Sequence, residues 1–411
     1  MTSRERIMTS IAHKEPDRVA RDLGATPSSG ISAIAYNNVI HHLGMTDVPD
    51  AQIYDVVQQL AQPALPVLDH FGIDVLDVGR TFNNLKTDWK PFPLGDGSNS
   101  TVPSWFEWEV SKDGGLDVIQ NGIHIARMPV GATFFDGTYV PYPDEIPESF
   151  EDLDLQMSRI LWAAMTHSPW DHKSEDDFWV QLRQRAIELK KNSDRALMIV
   201  AGCNLFEWGT FLRRIDNFLC DLIVDPEGVE RLLDELMIRH LANLEKICDA
   251  VGDVCDILRF GDDLGMDTGP FMQPSLYHEL FFPRHKQLNE YVHKHSNMKT
   301  FLHSCGSIYS LMPDLIEAGY DVLNPIQITA RDMQAEKLKR DFGKDICFWG
   351  GGCDTRVVLN SGTPQEVKDH VKAQVDILAP GGGFVFNTVH NIMPDVPAEN
   401  VVAMFEALDE M

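Results

Sequence analysis

Residues 346–387 open with Ile346-Cys347-Phe348-Trp349, pass through Thr363-Pro364-Gln365-Glu366 and close on Gly383-Phe384-Val385-Phe386-Asn387. The two outer runs are short, apolar and rich in β-formers. The segment between them places Val367, Val371, Val375 and Leu378 at helical spacing, with Pro364 at the first helical position. This is one strand–helix–strand unit, and such a unit implies parallel pairing with a right-handed crossover. The same rhythm recurs upstream, with β-rich runs at Val254–Phe260, Lys299–His303 and Tyr320–Leu323. Asp225-Pro226 opens a helix through Leu232, Leu233, Leu236, Leu241 and Leu244. Ser275 to His295 reads as another, carrying Leu276, Leu280, Phe281, Leu288 and Val292. Val19–Leu23, Ile73–Val78 and Leu197–Ala201 bring the strand count to eight. The expected fold is therefore α/β, a (β/α)8 TIM barrel spanning residues 1–411 as one domain, with a doubly wound open sheet as the alternative.

One stretch breaks the rhythm. Residues 80–142 are rich in Gly, Pro, Asp and aromatics, and Trp105-Phe106-Glu107-Trp108-Glu109-Val110 alternates in character. Ser111 to Gly115 then turns, and Leu116–Met128 is β-like again. A β-hairpin or small meander inserted after the second strand is expected, rising over the C-terminal face where barrel chemistry sits.

Composition narrows the function. The 411 residues carry 62 acidic and 35 basic side chains, a formal charge of −27. That charge opposes a nucleic-acid backbone or an anionic membrane surface as partner. No run of eighteen apolar residues is present, and Met1 to His13 is polar, without the features of a signal peptide. A cytoplasmic protein is expected. The seven cysteines all lie beyond residue 202, an odd number that reads as reduced thiols rather than a disulfide framework.

The sharpest chemical feature is Phe301-Leu302-His303-Ser304-Cys305-Gly306-Ser307, at a strand-to-helix junction. His303 and Cys305 are two apart and share a face of extended backbone. Imidazole and thiolate are good zinc ligands, and Cys353, ending Phe348-Trp349-Gly350-Gly351-Gly352-Cys353 two strands later, is a candidate third ligand. Three ligands at strand ends leave a position open, the form of a catalytic zinc. The alternative is two buried cysteines and a histidine bonded to backbone.

Gly261-Asp262-Asp263-Leu264-Gly265 follows the fourth strand. Its carboxylates could serve metal or proton transfer, Asp262 foremost, or simply cap a helix. In Phe206-Glu207-Trp208, Glu207 lies between two aromatics, where burial would raise its pKa. The alternative is an ion pair with Arg213 or Arg214. His390 closes the last strand and is a candidate for contact with substrate. Gly350–Gly352 and Gly381–Gly383, centred on Gly351 and Gly382, could cradle a cofactor phosphate or merely permit tight turns.

At these residues the chain resembles the uroporphyrinogen decarboxylase superfamily. Arg4-Glu5-Arg6 with His13-Lys14-Glu15-Pro16-Asp17-Arg18 is similar to that superfamily's N-terminal signature. Leu302–Gly306 and Phe386-Asn387-Thr388-Val389-His390 with Pro394-Asp395-Val396-Pro397-Ala398-Glu399-Asn400 are similar to later ones. The resemblance implies a (β/α)8 barrel. The arginine-rich loop that binds porphyrinogen carboxylates is replaced here by Arg21-Asp22-Leu23-Gly24-Ala25-Thr26, which turns the resemblance away from the decarboxylases.

It points instead to the branch of zinc-dependent methyltransferases that work with corrinoid proteins. The implied cofactors are zinc, held by His303, Cys305 and Cys353, and a corrinoid (methylcobamide) that is free or on a partner protein. That branch places its third ligand, a cysteine, near the last strand, where this chain has Gly381-Gly382-Gly383. The implied reaction is O-demethylation of a methoxylated aromatic, with Glu207, Asp262 and His390 as catalytic groups and Phe206 and Trp208 stacking on the ring. No Asp-x-His-x-x-Gly corrinoid signature is present in the chain, so the corrinoid is expected from outside, docking at the barrel mouth near Trp105 and Trp108. A thiol methyltransferase, a metal-free decarboxylase and a non-enzymatic tetrapyrrole carrier are the competing expectations. A homodimer is compatible with the resemblance, and no residue requires it.

Overall fold

Short runs of β-branched and aromatic residues at a period of two give the chain its barrel. The computed structural model describes residues 1–162 and 167–411. Eight strands, β1 (Ala20–Arg21), β2 (Val75–Asp77), β3 (Ala196–Gly202), β4 (Ile257–Gly261), β5 (Lys299–His303), β6 (Val322–Asn324), β7 (Cys347–Trp349) and β8 (Phe384–Phe386), form one sheet in the order β1-β8-β7-β6-β5-β4-β3-β2. Every pairing in it is parallel. The chain thus forms a nearly closed (β/α)8 barrel, and the eight expected strands are these eight.

Alternation along each strand sorts the side chains. Ile257, Phe301, Val322, Cys347, Trp349 and Val385 point inward and form a tight apolar floor. Their neighbours Leu258, Leu302, Leu323, Phe348 and Phe384 point outward and join the larger cluster beneath the helices. The N-terminal helix Ser3–Ile11 plugs the floor from below with Ile7 and Ile11. It starts with a capping box between Thr2 and Glu5, which satisfies two of the free N–H groups at its end.

The helices follow their start signals. Pro364–Leu378 has the Thr363–Glu366 capping box and buries Val367, Val371, Val375 and Leu378. Pro226–Val251 is capped by Asp225, whose carboxylate accepts from Gly228 N at 3.0 Å. The expected Ser275–His295 helix is two, Pro274–Leu280 and Phe282–His295. Pro283 has no N–H to return to the preceding turn, so the ladder breaks there.

After β2 the chain makes an antiparallel hairpin (Trp89–Pro93 with Asn99–Pro103) and a four-stranded antiparallel sheet. Within that sheet Leu116–Gln120 and Ile123–Met128 meet at Asn121-Gly122, both at positive φ, as a two-residue turn of this hand requires. Of the alternating Trp105–Val110 segment only Glu109–Val110 pairs, while Phe106 and Trp108 stack on each other at 5.8 Å. A further three-stranded sheet between β1 and β2 was not expected, because its strands are only two or three residues long. Among the described residues, no helix is long and apolar enough to cross a membrane.

The seam between β1 and β2 is closed by one buried carboxylate. Asp74 N donates to Arg21 O at 2.9 Å. The Asp74 side chain, fully buried, accepts from Arg21 N at 2.9 Å, Arg6 Nη1 at 2.7 Å and Arg18 Nη1 at 2.8 Å. This explains Arg6 and Arg18 of the N-terminal signature, while Arg4 donates to Asp256 instead. Replacing Asp74 by Ala leaves Arg6 without its buried partner and should destabilise the fold by about 3–5 kcal/mol in denaturant titration. A loss below about 1 kcal/mol would show that the seam is held by other contacts.

His240, on Pro226–Val251, donates from Nε2 to Asn204 O at 2.8 Å, and burial holds its pKa down from 6.5 to about 4. Below about pH 6.5 the unfolded chain binds a proton that the folded chain refuses. Stability should therefore fall as the pH drops from about 6.5 to about 4, by up to about 3 kcal/mol from this group. His240→Gln, which keeps a donor, should flatten that part of the stability–pH curve.

Candidate functional site

Inward parity on β5 places His303 one layer above Phe301, at the rim of the floor. The chain then leaves the strand, and Cys305 turns back toward it: Cys305 N donates to Asp263 Oδ1 at 2.8 Å. Gly306, at φ 86°, allows that reversal, and a Cβ there would lie 2.3 Å from the Gly265 backbone. Cys305 Sγ ends 3.5 Å from His303 Nε2. His390, from the loop after β8, brings its ring to 5.6 Å from that of His303. One ligand atom each from His303, Cys305 and His390 lies within 4.8 Å of the others.

Both imidazoles are held from behind. His303 Nδ1 bonds Asn324 Oδ1 at 2.8 Å, and His390 Nδ1 bonds Asn391 Oδ1 at 2.8 Å. Each amide oxygen can only accept, so each Nδ1 carries the proton and each Nε2 presents a lone pair. Burial pushes the His303 pKa down to about 3 and lowers that of His390, so both stay neutral. Burial, with the carboxylates of Asp263 and Glu207 nearby, drives the Cys305 thiol well above its ordinary range. Two neutral imidazoles and one sulfur form a donor set that suits zinc.

His303 and His390 border a cavity of about 280 Å³ at the C-terminal mouth, with Glu207, Arg259, Trp208 and Trp162 among its other walls. Glu207 sits in the first turn of helix Phe206–Arg213 and accepts from Asn204 Nδ2. Burial and the carboxylates of Asp263 and Asp262 raise its pKa far above the usual carboxylate range. It makes no pair with the nearby arginines: Arg213 binds Asp221 and Arg214 binds Asp216.

The structure places four of the expected groups away from the cavity or from the ligand cluster. Cys353 is fully buried in the core, its Sγ facing the Asp354 carbonyl at 3.9 Å, and it stands outside the His303–Cys305–His390 group. Asp262 is also fully buried, with its carboxylate accepting from Phe206 N at 3.0 Å and Glu207 N at 2.9 Å while His285 Nε2 bonds it at 3.1 Å. It caps the helix that carries Glu207, and Asp263 is the one that faces the cavity. Gly351 packs on Ile326, where a Cβ would lie 2.8 Å from the Ile326 Cβ. Gly382 packs on the Lys14 backbone at the opposite end of the barrel, and neither glycine borders the cavity. Phe206 stacks on Phe271 at 5.3 Å in the core, leaving Trp208 as the aromatic of that motif at the cavity.

Two residues escaped the sequence reading. Asn324 ends β6 as a polar residue at an inward position. Arg259 is a charged residue in the middle of an apolar strand, with Ile257 and Gly261 on the same side, and that parity was a readable signal.

Comparison with known proteins places the chain. Residues 205–411 match the family model described as Uroporphyrinogen decarboxylase (URO-D). The "Methylcobamide:CoM methyltransferase MtaA" of Methanosarcina barkeri (strain Fusaro / DSM 804) is 24% identical over 159 residues, and a second M. barkeri MtaA is 23% identical over the same length. Each match covers 38% of this chain and 42% of the relative, so the chain spans less than half the length of the curated relatives it matches. Among solved structures, a "methyltransferase from Methanosarcina mazei" superimposes with a TM-score of 0.59 at 16% identity, over 100% of this chain and 99% of that one. The chain therefore belongs to the uroporphyrinogen decarboxylase (URO-D) family, and the relatives it resembles here are methyltransferases.

Proposed function

We propose that this protein is a zinc-dependent methyltransferase that moves a methyl group from a small molecule, favoured as a methoxylated aromatic, to the cobalt of a separate corrinoid protein. The observation that carries the reading is the convergence of His303, Cys305 and His390, with both imidazoles on the cavity wall and offering Nε2. These donors fit zinc, and with His390 in place of Cys353 they would hold it on three sides. Bound there, zinc would supply a Lewis acid for the oxygen that departs as the methyl group leaves.

The chain's own residues do the rest. Trp162, Trp208 and Phe211 form an aromatic wall suited to one substituted ring. Glu207 retains a proton near neutral pH and can deliver it to the departing oxygen. Asp263 fixes the Cys305 backbone, and Asn324 fixes the His303 ring. The barrel mouth and the insert, with Trp105 exposed on it, form the face on which a corrinoid protein would dock. A second reading, methyl transfer from the corrinoid to a thiol acceptor, is favoured by the likeness to the methylcobamide:CoM methyltransferases.

Protein purified without chelator should hold about one zinc per chain by elemental mass spectrometry. His303→Ala, Cys305→Ala and His390→Ala should lose it, and Cys353→Ser should keep it. Zinc-free wild type would overturn the reading. Loss in Cys353→Ser with retention in His390→Ala would move the third ligand back to Cys353. In a defined assay with a corrinoid protein and a methoxylated aromatic, Glu207→Gln should slow transfer by about 10²–10⁴ while zinc content stays unchanged. Asn324→Leu should weaken zinc binding by about 10–100-fold, because the His303 ring loses its orienting partner.

A further inference from the structure

Arg259 projects inward from β4, one layer above Ile257 on the apolar floor. It is 7% exposed and borders the cavity. Among the described residues its side chain forms no hydrogen bond or ion pair, and its buried Nε has no partner. The guanidinium lies along Gly261, where a Cβ would stand 2.9 Å from Nη1, so the missing side chain at residue 261 makes room for it. The two acids whose fields it feels are engaged elsewhere: Glu207 with Asn204, Asp263 with Cys305 N. A buried guanidinium without a carboxylate is costly to keep, and its fork matches a carboxylate in two-point geometry.

We infer that Arg259 is the anion-recognising residue of this cavity, and that the methyl-bearing substrate is a single-ring organic acid whose carboxylate pairs with it. The inference rests on the proposed methyl transfer for the other end of the substrate. The cavity volume of about 280 Å³ lies at the low end for ligand sites, which suits one ring held between Trp208, Trp162 and Phe211. Arg259, His303 and His390 line the same cavity, so an acid paired with the guanidinium holds the rest of its ring in the space that the candidate ligands border. A neutral methoxylated ring would fill the aromatic wall and leave the guanidinium unpaired. Selection of acids over neutral ethers follows from that penalty.

The test is calorimetric binding of para-methoxybenzoate and of neutral methoxybenzene to wild type, Arg259→Gln and Arg259→Lys, with and without loaded zinc. Wild type should bind the acid at least about tenfold more tightly than the neutral ether. Arg259→Gln should abolish that preference without changing affinity for the ether, and Arg259→Lys should restore part of it. Ligand-free Arg259→Gln should melt no lower than wild type, because it removes an unpaired buried charge, and the acid should raise the melting temperature of wild type but not of Arg259→Gln. Equal affinities for acid and ether in wild type, no measurable acid binding, or a preference that survives Arg259→Gln would each overturn the inference. Zinc content of the same samples separates the two claims. An Arg259-dependent preference in zinc-free protein upholds the anion site while the metal reading falls, and zinc-loaded protein with no such preference does the reverse.

Discussion

The side-chain amide of Asn324 is the contact on which the arrangement of the site depends. Fully buried, it donates from Nδ2 to Trp349 O at 2.9 Å, so its oxygen faces the other way. That oxygen accepts from Ser28 Oγ at 2.9 Å and from His303 Nδ1 at 2.8 Å. One residue thereby ties β5, β6, β7 and the loop after β1 together. It also dictates the His303 tautomer, because an acceptor at Nδ1 forces the proton there and frees Nε2. The position of a ligand atom thus follows from a backbone carbonyl two strands away.

The barrel interior is built in two layers with opposite aims. The lower layer, closed by Ile7 and Ile11, is apolar and supplies cohesion. The upper layer carries Asp22, Asp77, Arg259, His303 and Asn324 at inward positions, all buried. Some of these are satisfied: Asp22 accepts from Trp349 Nε1 at 2.9 Å. Others are left open, Asp77 Oδ1 and Arg259 Nε, as is His167 Nε2 on the cavity wall. Burial raises Asp22 and Asp77 to about 6. Polar groups buried without full pairing cost stability, and two of them, Arg259 and His167, border the cavity, the physical mark of a site that binds something polar.

The barrel was legible because its signals are local and repeated. Short apolar runs alternate with Pro-initiated helices, and parity along Lys299–His303 alone puts His303 inward. His303, Cys305 and His390 were each picked out by their place at a strand end, and Glu207 by its aromatic neighbours. What was not legible depended on which way a loop turns. Asp262 and Asp263 are adjacent and alike in sequence, yet only the fold decides that one caps Phe206–Arg213 and the other reaches Cys305. Cys353 matched the metal chemistry, but its backbone bridges to Thr388 in the packed interior. Gly381–Gly383 precede β8 and so lie at the floor of the barrel rather than its mouth. Arg259 belongs to no motif, and its signal in the sequence is a single charge in an apolar strand.

The most direct test of the account is the ligand count at the metal, read by X-ray absorption at the zinc edge of the loaded protein. One sulfur and two imidazole nitrogens from the chain, unchanged in Cys353→Ser, are the predicted result. Two sulfurs in wild type, falling to one in Cys353→Ser, would contradict the assignment of His390 and with it the geometry from which the proposed chemistry was built.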